Sequence, residues 1–268
     1  MQKTILITGA TDGIGLVSAK NLVSMGHNVL IHGRNEQKLV RVSEQLKVLA
    51  NGGAIVSYLA DFSNLTDVQA LAKQIKAEHS HLDVLINNAG IFKVAESITK
   101  DGLDVRFVVN TIAPFLLTQA LQAILTSKSR VINLSSAAQA PVNIAALLGK
   151  KRLSDMEAYA QSKLAITMWT KNLADKALDD APVYVSVNPG SLLASKMVKE
   201  GFGVEGADLS IGAKVLTNMA LEADLANRSG QYFDNDSGIF ANPHPSGMDV
   251  IKSSMLVETL EKLLLELV

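Results

Sequence analysis

The sequence predicts a doubly wound α/β fold: one domain, a parallel sheet of about seven strands, and helices on both faces. Three observations point there. Short β-branched or aliphatic runs alternate with longer segments of helical period. A glycine-rich turn closes the first run and opens the first helical segment. Apolar residues occupy 48% of the 268 positions and aromatics only 4%, so Val, Ile, Leu and Ala must fill the core, which suits strands buried on both faces.

In chain order, Thr4–Thr8 reads as the first strand and Gly13–Gly26 as the helix after the glycine turn. The second strand, Asn28–His32, leads to a helix over Glu36–Asn51, capped by Asn35 and stopped by Gly52-Gly53. Strand Ala54–Ala60 and helix Leu65–Ser80, capped by Asn64, come next, followed by strand Asp83–Asn87, helix Gly102–Ser127 and strand Arg130–Leu134. Helix Glu157–Leu178, strand Val183–Asn188, helix Asp208–Ala223 and strand Gln231–Phe233 complete the alternation. An amphipathic helix over Asp249–Val268 docks on the core.

No Pro/Ser linker divides residues 1–268. Two stretches fall outside the alternation: 137–158, rich in Ala and Leu with a basic run Lys150-Lys151-Arg152, and 191–207, irregular, with Leu192, Leu193, Met197, Val198 and Phe202 among glycines. Both leave the carboxyl ends of strands, where an open α/β sheet binds ligands, so they are expected as substrate-side loops.

Net charge of −1 with scattered basic residues excludes a global field for nucleic acid or an anionic membrane surface. No apolar run reaches the length of a membrane span, and the N-terminus reads as a strand rather than a cleaved leader. Zero cysteines fit a reducing compartment, and a cytoplasmic location is expected. The five histidines lack a helical metal-ligand spacing with carboxylates, so no metal site is expected.

The turn Thr8-Gly9-Ala10-Thr11-Asp12-Gly13-Ile14-Gly15 has the context of a dinucleotide cradle. Gly9 permits the reversal, Gly13 lets the backbone approach a pyrophosphate, Gly15 allows close helix packing, and the helix start offers N–H donors. Where a carboxylate would select the ribose hydroxyl of NAD, the chain has His32-Gly33-Arg34-Asn35. Arg34 suits a 2′-phosphate, so NADP(H) is favoured over NAD(H), although Asp12 places a carboxylate near the phosphates.

The order of motifs resembles the short-chain dehydrogenase/reductase family over essentially the whole chain, and implies a Rossmann domain that binds NAD(P). The turn from Thr8 to Gly15 resembles that family's cofactor turn, Asp61 with Phe62 its adenine contact, and Asn87-Asn88-Ala89-Gly90 the motif that backs the cofactor. Asn110 resembles the asparagine of a proton relay, holding a water near Lys163. Ser136 resembles the catalytic serine, being the second of the pair Ser135-Ser136, and Tyr159 with Lys163 the catalytic pair. Pro189-Gly190 resembles the turn beside nicotinamide. Two departures stand out. Ser136 and Tyr159 lie 23 residues apart, a long spacing that, with Gly230-Gln231-Tyr232-Phe233, resembles the retinol dehydrogenase-like branch. Where the family places a hydroxyl after the Pro-Gly turn, this chain has Ala194, with the hydroxyl at Ser195.

The chemistry of these residue types agrees. On a helix, Tyr159 and Lys163 share a face, and a nearby ammonium is expected to lower the phenol from its ordinary pKa of about 10. Tyr159 then exchanges a proton with the substrate oxygen while Ser136 donates a hydrogen bond to it. The expected activity is hydride transfer between nicotinamide and a carbonyl or alcohol substrate, lipophilic given the apolar loops. The alternative is a catalytically silent NADP-binding sensor or scaffold, which keeps the fold without turnover. The resemblance allows a homodimer or homotetramer through the helices Gly102–Ser127 and Glu157–Leu178, and leaves a monomer open.

Overall fold

The computed structural model describes residues 1–268, apart from the side chains of Lys196, Glu200, Phe202 and Ala223. The apolar contribution expected of Phe202 therefore lies outside the described residues. One sheet threads the whole chain, in the strand order β3-β2-β1-β4-β5-β6-β7-β8. Its strands are β1 (Thr4–Ile7), β2 (Asn28–Gly33), β3 (Ile55–Leu59), β4 (Val84–Asn87), β5 (Arg130–Leu134), β6 (Val183–Asn188), β7 (Tyr232–Asp234) and β8 (Ile239–Ala241). The first seven pair in parallel and coincide with the expected runs; β8 returns antiparallel on β7. The sequence reading treats β8 as loop, because three residues after a Ser-Gly turn carry too little pattern to register as a strand.

Burial along the central strands explains the two helix layers. Ile5 and Ile7 of β1 belong to one core cluster and Leu6 to the other, as the two-residue period of a strand requires. One face is covered by α1 (Gly13–Ser24), α2 (Glu36–Leu49) and α9 (Leu209–Leu221). The opposite face carries α3 (Leu65–Glu78), α5 (Ala113–Ala120), α7 (Asp155–Asp175) and α10 (Val250–Leu267). Asn35 and Asn64 cap α2 and α3, as their positions predict.

Three elements differ from expectation. The single helix foreseen over Gly102–Ser127 is broken into α4 (Val105–Phe107), a π-helical stretch Val108–Ile112, α5 and a short 3-10 turn. Periodicity could not show this, because a π turn inserts one residue without changing which residue types are apolar. The loop 137–158 contains α6 (Ile144–Leu147), and the irregular segment 191–207 contains α8 (Lys196–Phe202), capped by Ser195. Helix α7 begins two residues before Glu157, because Ser154 and Glu157 form a capping box.

Candidate active site

At the end of β1 the glycine turn is braced from behind by β4. Thr8 Oγ1 accepts from the backbone N–H groups of Asn88 and Ala89, both at 3.0 Å. Asn88 Nδ2 donates back to the carbonyls of Thr8 and Gly9 at 2.8 and 3.0 Å. A Cβ on Gly9, where φ is +66°, would lie 2.8 Å from Ala89 Cα, and one on Gly15 would lie 2.4 Å from Asn88 Nδ2. Gly9 and Gly15 thus make room for Asn88 and Ala89. Gly13 differs: a Cβ there would meet only Ser195 Cβ, at 3.9 Å. The space before Gly13 is an open cradle at the start of α1, which fits a pyrophosphate.

Asp12 caps α1 by accepting from Gly13 N–H at 2.8 Å, and Lys38 Nζ lies 3.9 Å from its carboxylate. Arg34 is exposed beside this turn, and Asn35 caps α2 through Lys38 N–H. Thr11 abuts the end of β2, since a Cβ on Gly33 would lie 2.5 Å from Thr11 Cγ2. Ile14 turns the other way and packs against the α9 side of the core. Asp61 Oδ1 accepts from the Ser63 N–H and hydroxyl, and Phe62 stacks on His32 with ring centroids 4.3 Å apart.

His32, at the end of β2, is held from both sides of its ring. It is buried, its Nδ1 accepts from Gly9 N–H at 3.2 Å, and its Nε2 reaches Ala60 O at 3.0 Å. The backbone donor on one side and the carbonyl on the other require a neutral ring protonated at Nε2. Burial lowers its pKa to about 4. Among the described residues, no group of three His, Cys, Asp or Glu is placed to hold a metal.

Tyr159 and Lys163 lie on consecutive turns of α7, both buried. The Lys163 ammonium sits 5.8 Å over the Tyr159 ring and donates to Leu134 O, the last residue of β5, at 2.8 Å. Ser136 is the side chain that acts on the Tyr159 hydroxyl, and its own oxygen accepts from Ala138 N–H at 3.1 Å. The expectation that Lys163 lowers the phenol does not hold here: burial raises Tyr159, a shift only partly offset by the Ser136 hydrogen bond. Burial likewise lowers Lys163 to about 8. Desolvation outweighs the mutual attraction of the pair, because both groups lie where water is excluded.

The two serines are separated by their partners. Ser135 Oγ donates to Lys163 O at 2.7 Å and accepts from Thr167, so it is consumed in anchoring α7. Ser136, which follows it, faces Tyr159. Asn110 sits in the π stretch, where its amide bridges Ile91 N–H, Ile91 O and Ser162 Oγ at 2.8, 3.0 and 3.0 Å. A Cβ on Gly90 would lie 3.4 Å from both Asn110 Oδ1 and Lys163 Nζ, so glycine keeps that corner clear.

The turn Pro189-Gly190 is held from the C-terminal hairpin. Asn235 donates to Pro189 O at 3.0 Å, and Asn188 Nδ2 donates to Asp234 and Asp236. The Ser195 hydroxyl accepts from Val198 N–H as the cap of α8. Phe92 packs on the Tyr159 ring at 5.1 Å, and Gly201 of α8 lies against Phe92, where a Cβ would come within 2.5 Å. Helix α8 thereby covers the tyrosine through one aromatic ring. Sequence reasoning missed His32, Phe92, Tyr232 and Gln139. Of these only Tyr232 carried a signal, its place in the Gly-Gln-Tyr-Phe pattern.

Known proteins resemble this chain in sequence and in fold. A family model described as short chain dehydrogenase matches residues 3–203. Retinol dehydrogenase 12 of Mus musculus is 32% identical, over 87% of this chain and 78% of its own length. Polyprenol dehydrogenase of Homo sapiens is 34% identical, over 87% and 77% respectively. A short chain dehydrogenase of Shigella flexneri 2a, crystallised with NADP, superposes with a TM-score of 0.69 at 26% identity, covering 87% of this chain and 97% of that one.

Proposed function

The chain belongs to the short-chain dehydrogenase family, an NAD(P)-dependent oxidoreductase of the retinol dehydrogenase-like branch, and from that membership we propose an NADP(H)-linked enzyme acting on a lipophilic carbonyl or alcohol. One observation carries the reading. A buried tyrosine beside Ser136, with an ammonium over its ring, stands in the same molecule as an open glycine cradle.

When bound, the nicotinamide cofactor supplies or takes up hydride. The residues of this chain handle the proton and the orientation. Tyr159, kept protonated by burial, donates to the carbonyl oxygen in reduction; in oxidation it first gives up that proton toward solvent and, as phenolate, takes the hydroxyl proton. Ser136 donates to the same oxygen and fixes its place beside the phenol. The Lys163 cation stabilises the charge left on Tyr159 as its proton departs. Asn110, gathered with Lys163 around Gly90, holds the water that returns a proton from solvent.

Gly9, Thr11, Asp12, Gly13, Ile14 and Gly15 would hold the phosphates of the cofactor. Asp61, Phe62, Asn88, Ala89 and Gly90 would hold its adenosine side, and Pro189-Gly190 its nicotinamide. NADP is preferred to NAD because Arg34 stands exposed at the end of β2, where His32-Gly33-Arg34-Asn35 holds no Asp or Glu, while Asp12 is engaged by Gly13 N–H and Lys38. The Shigella relative binds NADP.

A lipophilic substrate is favoured by Phe92 on Tyr159 and by the apolar residues of 191–207. Two relatives are named for retinol and polyprenol, both lipophilic alcohols. The cysteine-free composition suits a reducing compartment, and cytoplasmic residence belongs to the same proposal, to be checked by cell fractionation.

The test is fluorescence titration with NADPH and NADH, then oxidation of NADPH against a panel of aldehydes and ketones, with Tyr159→Phe and Arg34→Ala as controls. NADPH should bind more tightly. Arg34→Ala should weaken NADPH about 10- to 100-fold and leave NADH within twofold, as loss of a charge-assisted contact would. Turnover should vanish in Tyr159→Phe. Binding without turnover in the native protein would instead favour the silent sensor.

A further inference from the structure

Ser136 lies in a loop just beyond the last rung of β5, where Ser135 N–H donates to Val187 O at 2.9 Å. Its side chain can meet Tyr159 only if its own peptide is fixed, and that peptide is held from distant parts of the chain. The Tyr232 hydroxyl donates to Ser136 O at 3.1 Å, reaching from β7 across β6 to the end of β5. Gln139 Nε2 donates to the same carbonyl at 3.0 Å and to Ser135 Oγ at 3.3 Å. The orientation of the Gln139 amide is unambiguous, because Gln139 Oε1 accepts from His244 N–H at 2.8 Å. Tyr232 is a permanent donor: burial, reinforced by Asp234 and Asp236, pushes its hydroxyl above the ordinary tyrosine range.

We propose that Tyr232 and Gln139 are positioning residues for catalysis, holding the Ser136 carbonyl so that the Ser136 hydroxyl stays aligned with Tyr159. Through them the β7–β8 hairpin and the segment at His244 set the geometry of a serine about a hundred residues earlier. The proposal rests on the oxidoreductase reading above. The mechanism uses neither residue directly; both act on the backbone of Ser136.

Tyr232→Phe removes one donor and keeps the ring, and the carbonyl retains Gln139, so the variant should fold; Gln139→Met removes the other donor. Each is measured in two ways: steady-state kinetics with NADPH, and the tyrosinate absorbance titration of Tyr159, read as the difference from the matching Tyr159→Phe protein. Tyr232→Phe should lower kcat about tenfold with KM and cofactor affinity within twofold, the pattern of misplaced chemistry rather than lost binding. It should also move the Tyr159 midpoint upward, because the Ser136 side chain offsets part of the rise that burial causes. In a Ser136→Ala background, Tyr232→Phe should change kcat less than twofold, an epistasis that a merely structural role would not produce.

An equal fall in both backgrounds, or unchanged kcat and midpoint in both variants, overturns the proposal. Should the native protein turn over nothing, the midpoint alone decides: a shift upholds the positioning while the reductase reading fails, and no shift removes both.

Discussion

Lys163 carries a positive charge where water does not reach, and its single described hydrogen bond is to Leu134 O. Its folded pKa of about 8 lies below the ordinary 10.5, so the unfolded chain holds that proton more tightly. Stability therefore rises as pH climbs from about 8 to 10.5, and at neutral pH the buried ammonium is a cost. Lys163→Met should abolish turnover yet stabilise the fold by roughly 1–3 kcal/mol at pH 7, since the lost hydrogen bond offsets part of the gain. Urea denaturation at pH 7 and pH 10 checks it: the advantage should be present at the first and mostly gone at the second. His32 works in the same direction at lower pH. With a folded pKa of about 4 against an ordinary 6.5, it withdraws stability as pH falls through that window. The native protein should lose about 3 kcal/mol from this residue by pH 4, and His32→Gln, which can still bridge Gly9 and Ala60, should flatten that part of the acid limb. An unchanged acid limb in the variant would show that His32 does not titrate this way.

Helix α7 presents Tyr159 and Lys163 to the site, and its start is fastened by more than the Ser154–Glu157 box. Arg106 of α4 is fully buried; it bonds Asp104 at 2.7 Å through Nη2 and also pairs with Asp155, the first residue of α7. The guanidinium thus joins the broken helix that carries Asn110 to the helix that carries the tyrosine. Removing it strands the Asp104 carboxylate in the core. Arg106→Met should destabilise by about 3–5 kcal/mol, read as a lowered urea midpoint. An unchanged midpoint would mean that the triad behaves as a surface pair. The π stretch follows directly on α4, so this variant should also loosen Asn110, seen as faster amide exchange at Ile91, whose N–H it holds.

Across the assembled chain, the most telling feature is that α7 is buried at every residue from Ala158 to Thr170. A helix enclosed on all sides has no face left for a partner. The outer side is taken by α10, which buries Leu256, Val257, Leu260 and Leu263 in the same core cluster. Pairing through this helix, which the family resemblance allows, is filled from within the chain. Light scattering should give a species near 28.6 kDa at high concentration; a dimer would require another face. No described helix is long and apolar enough to cross a membrane.

What the amino-acid order determined by itself is what depends on a few neighbouring residues. Alternating strand and helix periods identify seven strands and their parallel winding. Gly9, Gly13 and Gly15 mark the turn, Asn35 and Asn64 mark helix starts, and the four-residue spacing places Tyr159 and Lys163 on one face. These follow from backbone geometry and local hydrogen bonding, which short stretches carry intact. Only the tertiary structure decided the rest. It consumed Ser135 in α7 and left Ser136 facing Tyr159, buried His32 between Gly9 and Ala60, and set Tyr232 against a carbonyl 96 residues away. It also reversed the expected influence on Tyr159, because the ammonium was read from spacing while the desolvation that raises the phenol depends on how much of the chain closes around it. Spacing along a chain specifies which groups can meet; the packing that excludes water sets how strongly their charges and hydrogen bonds act.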